Sequence, residues 1–228
     1  MSIILVIIGL IVGGVFVGRD LIHNQKVQKV IQDIQQIKSS IAAFELKHDA
    51  LPGDMVDAYS YWGASCATSA PACNGNGDRK ITSTGSENRK AWRHMNLSGI
   101  YPGNYSGVFD PTYTPGVAVP EGPMKGTAYD IAVATWVGNN RENLQLIFYA
   151  SSGGGGWSNS SLKPDDAYSI DMKMDNGAPL TGKIVAAAGY SSITLSSDPN
   201  CLTGSAYQLS HPEPSCRLEF VIEGGGVE

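Results

Sequence analysis

Seventeen consecutive residues, Ser2 to Gly18 (SIILVIIGLIVGGVFVG), carry no charge, and a helix-forming stretch follows them without a break. A run of that length sits at the short edge of what crosses a bilayer as a helix. It does not read as a cleavable secretory signal, because no basic segment precedes it and no small-residue cleavage site follows. Arg19 and Asp20 come next, and neither Gly nor Pro interrupts residues 19 to 49. Within that stretch Val27, Val30, Ile31, Ile34, Ile37, Ile41 and Phe44 recur at spacings of three and four, which is one apolar stripe on a helix. Gln25, Lys29, Gln32, Asp33, Gln36 and Lys38 occupy the other positions, and Pro52-Gly53 is a stop signal. The expectation is one rod of about 48 residues, about 70 Å long at 1.5 Å per residue. Its first part is apolar all round. Its second part is greasy on one face, which is expected to pack against the chain's own globular domain.

The remainder, from residue 53 to 228, has a different character. All four tryptophans lie here, with most of the 27 glycines. Residues 55 to 85 read as loop. Ser86 to Leu97 reads as a short helix capped by Ser86, with Trp92 and Met95 pointing inward. Ile131–Val137 and Leu144–Ala150 are short apolar runs joined by Gly138-Asn139-Asn140, the pattern of a hairpin. Asp165 to Met174 reads as a second short helix, capped by Asp165 or Asp166, and Lys183–Ala188 and Leu218–Ile222 are further strand candidates. The fold class expected is α+β: a long N-terminal helix packed on a small antiparallel sheet with long loops. Three segments follow: 1–18 as the membrane half of the helix, 19–52 as its amphipathic half, and 53–228 as the head.

Four cysteines allow three connectivities. Local pairing, Cys66 with Cys73 and Cys201 with Cys216, is the expected one, because each pair brackets a loop bearing glycine or proline. Neither pair has the CxxC spacing of a zinc site. The formal net charge of -5 argues against a nucleic-acid partner, which a basic face would serve.

Several of these segments together resemble a family. The run SIILVIIGLIVGGVFVGRDLI, an amphipathic helix, and the closing Leu51-Pro52-Gly53-Asp54 are similar to the N-terminal helix of type IV pilins and type II secretion pseudopilins, especially pilin-like proteins whose helix closes in an LPGD turn. Trp92-Arg93-His94, Gly99-Ile100-Tyr101-Pro102-Gly103 and IDMKMDNGAPLTGKI from Ile170 to Ile184 resemble the same subgroup. The resemblance implies a single-pass protein of the bacterial inner membrane, its head in the periplasm or on an extracellular filament. It implies assembly through Ile3, Ile4, Leu5, Ile7, Ile8, Leu10, Ile11, Val15 and Phe16, and other pilin-like subunits and the assembly machinery as partners. Gly9, Gly13 and Gly14 would permit close helix approach. The family pattern also has a short basic leader, a Gly–Phe processing site and a Glu five residues into the mature chain. Here Met1-Ser2 stands where the residues just after that Glu would be, so the resemblance implies either a start further upstream in the gene or a truncated form.

Two patterns could hold a hard cation. Asn74, Asn76 and Asp78 place oxygens at alternating positions between glycines, which suits calcium, although an Asn-Gly turn explains the segment equally well. Asp171, Asp175 and Asn176 form a weaker second set. None of the four histidines has HExxH spacing, and neither a GxSxG elbow nor a P-loop occurs. The glycine run at 151–156 lacks the helix and lysine that a phosphate site needs, so it reads as a loop. An assembly subunit, not an enzyme, is the function expected. The alternative is a bitopic binding protein whose exported head recognises a ligand or surface.

Overall fold

The computed structural model describes residues 2–108, 110, 114–135, 142–151, 159–187 and 199–222. Ahead of Leu21, the side chains described are those of residues 7–10, 15 and 18. A single helix, α1, runs from Ser2 to His48. It closes before Pro52: Asp49 adopts φ 52°, and its N–H still bonds the Glu45 carbonyl at 2.8 Å. Lys47 and His48 in the last turn complement the negative end of the helix dipole.

The head follows as short helices α2 (Ala58–Trp62), α3 (Ala70–Cys73) and α4 (Glu87–Leu97), then strands β1 (Thr127–Thr135) and β2 (Glu142–Ala150), helix α5 (Pro164–Met174), and strands β3 (Ile184–Ala187), β4 (Leu202–Thr203), β5 (Ala206–Tyr207) and β6 (Arg217–Val221). Four strands form one antiparallel sheet in the order β1-β2-β6-β3, and β4 pairs with β5 in a small ribbon. The architecture is therefore α+β, with a long N-terminal helix and an antiparallel sheet.

The register aligns apolar residues across the sheet. Ile131 faces Leu146, Leu146 faces Phe220, and Phe220 faces Ile184. Tyr129 pairs with Phe148, with ring centroids 5.0 Å apart. All seven stripe residues, from Val27 to Phe44, are buried and belong to one apolar cluster with these strand side chains. The Tyr129 hydroxyl donates to Asp33 of α1 at 3.2 Å, tying the strand to the helix's polar flank. Both edges of the sheet are covered, which protects them from pairing with another chain. On β1 the Tyr129 N–H bonds the Pro120 carbonyl and the Val133 N–H bonds that of Ile81; on β3 the Ala186 N–H bonds that of Pro179.

Helix α4 is held by a buried ion pair. Arg89 meets Asp130 of β1 at 2.7 Å, and Asn88 and the Trp92 indole also donate to that carboxylate. Trp92 and Met95 are fully buried, as the spacing implies.

Several expectations need correction. Ser86 does not cap α4: it takes a left-handed φ of 62°, and its side chain makes no capping bond. The Asn88 N–H in the first turn goes to the Thr82 carbonyl at 3.2 Å, and Glu87 Oε2 takes the Thr82 N–H and hydroxyl in return. Neither Asp165 nor Asp166 caps α5, which opens at Pro164 with Lys163 before it. Asp165 accepts the next residue's N–H, and Asp166 turns to α1. The stretch 55–85 is not simply loop, since it carries α2 and α3. The hairpin strands are longer than the apolar runs alone imply, while Trp136, Val137 and the turn at 138–140 lie outside the described residues, as does the glycine run from 153 to 156.

Truncating Phe44 to Ala is expected to destabilise the head by about 3–5 kcal/mol. Leu46→Ala, at a residue 89% exposed, is expected to stay within about 0.5 kcal/mol. Denaturant unfolding of the full chain in detergent, followed by tryptophan fluorescence, checks both.

Candidate functional site

Two regions carry the polar and apolar groups singled out above: the projecting half of α1, and the loops that surround its other end. On the projecting half, Ile7, Ile8, Leu10, Val15, Leu21 and Ile22 are all exposed, Leu10 at 73%. A Cβ added at Gly9 or Gly18 would meet nothing within 4 Å. The side chains of Ile3, Ile4, Leu5, Ile11 and Phe16, and Gly13 and Gly14, lie outside the described set. Among the described residues, no helix is long and apolar enough to cross a membrane.

The helix meets the head one residue beyond Ile22. His23 Nε2 lies 2.8 and 3.0 Å from the two carboxylate oxygens of Asp166 on α5. Burial raises the Asp166 carboxyl above the usual carboxylate range, and the His23 contact opposes that. From Val27 onward the stripe is buried.

At the other end, the Leu51-Pro52-Gly53-Asp54 turn organises its neighbours. Asp54 Oδ1 accepts the N–H groups of Gly77 (2.6 Å) and Asp78 (3.2 Å), and Oδ2 accepts that of Arg79 (2.8 Å). Gly53 has φ 86°, and a Cβ there would fall 2.2 Å from the Glu87 carbonyl oxygen, so only glycine fits between this turn and α4. Its N–H donates to His94 Nδ1 at 3.0 Å, while His94 Nε2 lies 3.0 Å from the Cys73 carbonyl oxygen. Those two bonds assign the Nε2–H tautomer. The imidazole thus joins the LPGD turn, α4 and the first disulfide, and Phe44 stacks against it at 6.3 Å. Burial pushes its pKa down to about 4.

Both disulfides pair locally, Cys66–Cys73 and Cys201–Cys216. Among the described residues, Cys66, Cys73 and His94 are the one group of metal-capable side chains close enough to share an ion. The sulfurs are bonded to each other, and His94 Nδ1 is already an acceptor for Gly53, so the group is structural.

The two cation candidates use their oxygens internally. Asn74 Oδ1 accepts the Tyr59 N–H, Asn76 Oδ1 accepts that of Asp78, and Asp78 Oδ1 accepts that of Lys80. Asn74 Oδ1 is thus bonded to α2, while Asn76 and Asp78 bond within their own turn. In the second set, Asp171 accepts the Gly177 N–H and the Tyr207 hydroxyl, and Asp175 Oδ2 accepts the Lys183 and Ile184 N–H groups. Asn176 accepts from Ala178. Burial raises the Asp171 carboxyl, which its bond from Tyr207 opposes. Each motif stitches an irregular segment to a regular one. The two hubs, Asp54 and His94, escape a reading by spacing because their partners lie 41, 24 or 21 positions away.

Compared with known proteins, the chain matches no family model, no curated protein and no solved structure.

His94 sets an acid limit on the fold. The unfolded chain takes up a proton on this residue near pH 6.5, and the folded chain only near 4. Stability is therefore fully present above pH 6.5 and falls by about 3 kcal/mol as pH drops to about 4. The raised carboxyls of Asp54, Asp166 and Asp171 contribute with the opposite sign in acid, so the wild type is compared with His94→Gln. The variant is expected to be less stable at neutral pH, and the difference between the two unfolding free energies should shrink between pH 6.5 and 4.

Proposed function

We propose that the chain is a pilin-like subunit of a type IV pilus or type II secretion pseudopilus, held in the inner membrane and assembled through α1. The observation that carries this reading is the division of one unbroken helix. Residues 27–44 form the seat of the head, while the described apolar side chains before His23 project with no head around them. A helix that is integral to the head's core delivers that core wherever its apolar half is placed. This fits a subunit packed by its helix better than it fits a domain on a loose tether. The resemblance of the apolar run and the LPGD turn to the pilin class points the same way. The two disulfides suit an exported head, since such bonds persist in oxidising compartments. In this reading the LPGD and IDMKMDNGAPLTG segments brace the head and make no contact with a substrate.

The test is in cells, with the gene at its own locus and its upstream sequence intact. Single cysteines are placed at Ile7 and Leu10 by Ile7→Cys and Leu10→Cys substitution. Both variants are expected in the inner-membrane fraction, and mild oxidation should give a disulfide-linked dimer, since the four native cysteines are already paired and each variant adds one thiol. Introduced into the Ile7→Cys variant, Leu10→Lys is expected to abolish the dimer and reduce membrane retention. A protein that stays membrane-bound and purely monomeric under oxidation would overturn the reading and favour a tethered binding protein.

A further inference from the structure

Asn76–Gly77 sits in a set of contacts that the bracing role of its loop does not require. Succinimide formation at an Asn-Gly pair needs the glycine nitrogen to lose its proton, attack the asparagine Cγ, and expel the side-chain nitrogen. Each requirement has a group beside it. The Gly77 N–H is shared between the Asp54 main-chain carbonyl at 3.1 Å and Asp54 Oδ1 at 2.6 Å, and the nearer of the two is a carboxylate placed to take the proton. The Asp78 N–H donates to Asn76 Oδ1 at 2.9 Å, where negative charge develops as Cγ becomes tetrahedral. Asn76 Nδ2 donates to Asp78 Oδ2 at 3.0 Å, next to the leaving nitrogen. Gly77 adds no side chain to hinder the approach, and Asn76 is exposed to water.

We propose that Asn76–Gly77 is a self-modifying site, in which Asp54 acts as the base and Asp78 as the activating neighbour for conversion of Asn76 to aspartate or isoaspartate. The proton of Gly77 N passes to Asp54 Oδ1 as the bond from that nitrogen to Asn76 Cγ forms. The bond from Cγ to Nδ2 then breaks, and the nitrogen leaves as ammonia, taking its third proton from the water around the exposed Asn76 while Asp54 returns its own to water. Water opens the resulting cyclic imide at either carbonyl. No other reactant is needed. Burial raises the Asp54 carboxyl above the usual range, which makes its ionised form a stronger base.

The product places a new carboxylate between Asp54 and Asp78, and isoaspartate adds a backbone atom to the turn. Either change loosens a loop that is tied to the end of α1 through Arg79 and Glu45, 3.0 Å apart. The chain also carries its own control. Asn74–Gly75 has the same sequence, but its glycine N–H donates to the Met55 carbonyl and its Asn74 Oδ1 accepts from Tyr59, so no carboxylate touches that N–H.

The experiment incubates the purified full chain, in detergent, near neutral pH, and follows both asparagines by peptide mass and isoaspartate assay. In the folded protein Asn76 is expected to convert on the order of 10²-fold faster than Asn74, the lower range for a positioned base. In denaturant the two rates should converge. Asp54→Asn, where it folds, should bring Asn76 down to the rate of Asn74. Equal rates in the folded state, or an Asn76 that converts faster only after unfolding, would overturn the proposal, and both are read on the wild-type chain alone.

Discussion

Seven side chains on one face of α1 are buried in the core of the head, in one cluster with the sheet and, at Phe44, against Trp62 and His94. Val27, Val30, Ile31, Ile34, Ile37, Ile41 and Phe44 are each at most 8% exposed. At about 1.5–3 kcal/mol for each large apolar side chain buried, the stripe amounts to on the order of 10–20 kcal/mol before the entropy of ordering is set against it. Net stabilities of domains are about 5–15 kcal/mol. A head without the helix would thus lose a burial term as large as the whole net stability of a typical domain. Sheet register depends on the same contact, since a one-residue slip would turn Ile131, Leu146, Phe220 and Ile184 away from the helix.

Much of this frame was legible in the chain. Periodicity of three and four identifies the stripe residue by residue, because burial on a helix repeats with its turn. The apolar runs mark the paired strands, and loop composition points to the local disulfides. What spacing does not reveal are the bonds that irregular segments make with distant partners. Ser86 looks like a cap, yet the Thr82 carbonyl takes the Asn88 N–H, and the Glu87 side chain reaches back to hold Thr82 in place. Asp166 looks like a cap, yet it lies 143 positions from its partner His23. The alternating oxygens from Asn74 to Asp78 look like cation ligands. That alternation does not reveal the N–H groups of Tyr59, Asp78 and Lys80 that these oxygens accept.

The polar motifs share one physical task. A loop without regular structure leaves backbone N–H groups unmatched, and a buried carboxylate can take several of them at once. Asp54 takes three, Asp175 takes two, and Asp171 takes one together with the Tyr207 hydroxyl. His94 extends the idea to a neutral ring that serves as donor and acceptor at once. Segments such as LPGD and IDMKMDNGAPLTG are thus short because a few oxygens replace what a ladder of strand bonds would supply elsewhere.

The His23–Asp166 contact lies where the free and embedded halves of α1 meet. A rod clamped along one half behaves as a cantilever, and a sideways load on its free end produces the greatest bending moment at the mouth of the clamp. Asp166 grips the rod at that point, on the side of α5, ahead of the first buried stripe residue. Tension along the axis, by contrast, passes into the seven-residue stripe as shear, shared among many contacts. Pulling on the helix is thus shared along the whole stripe, whereas tilting it loads the His23–Asp166 contact first.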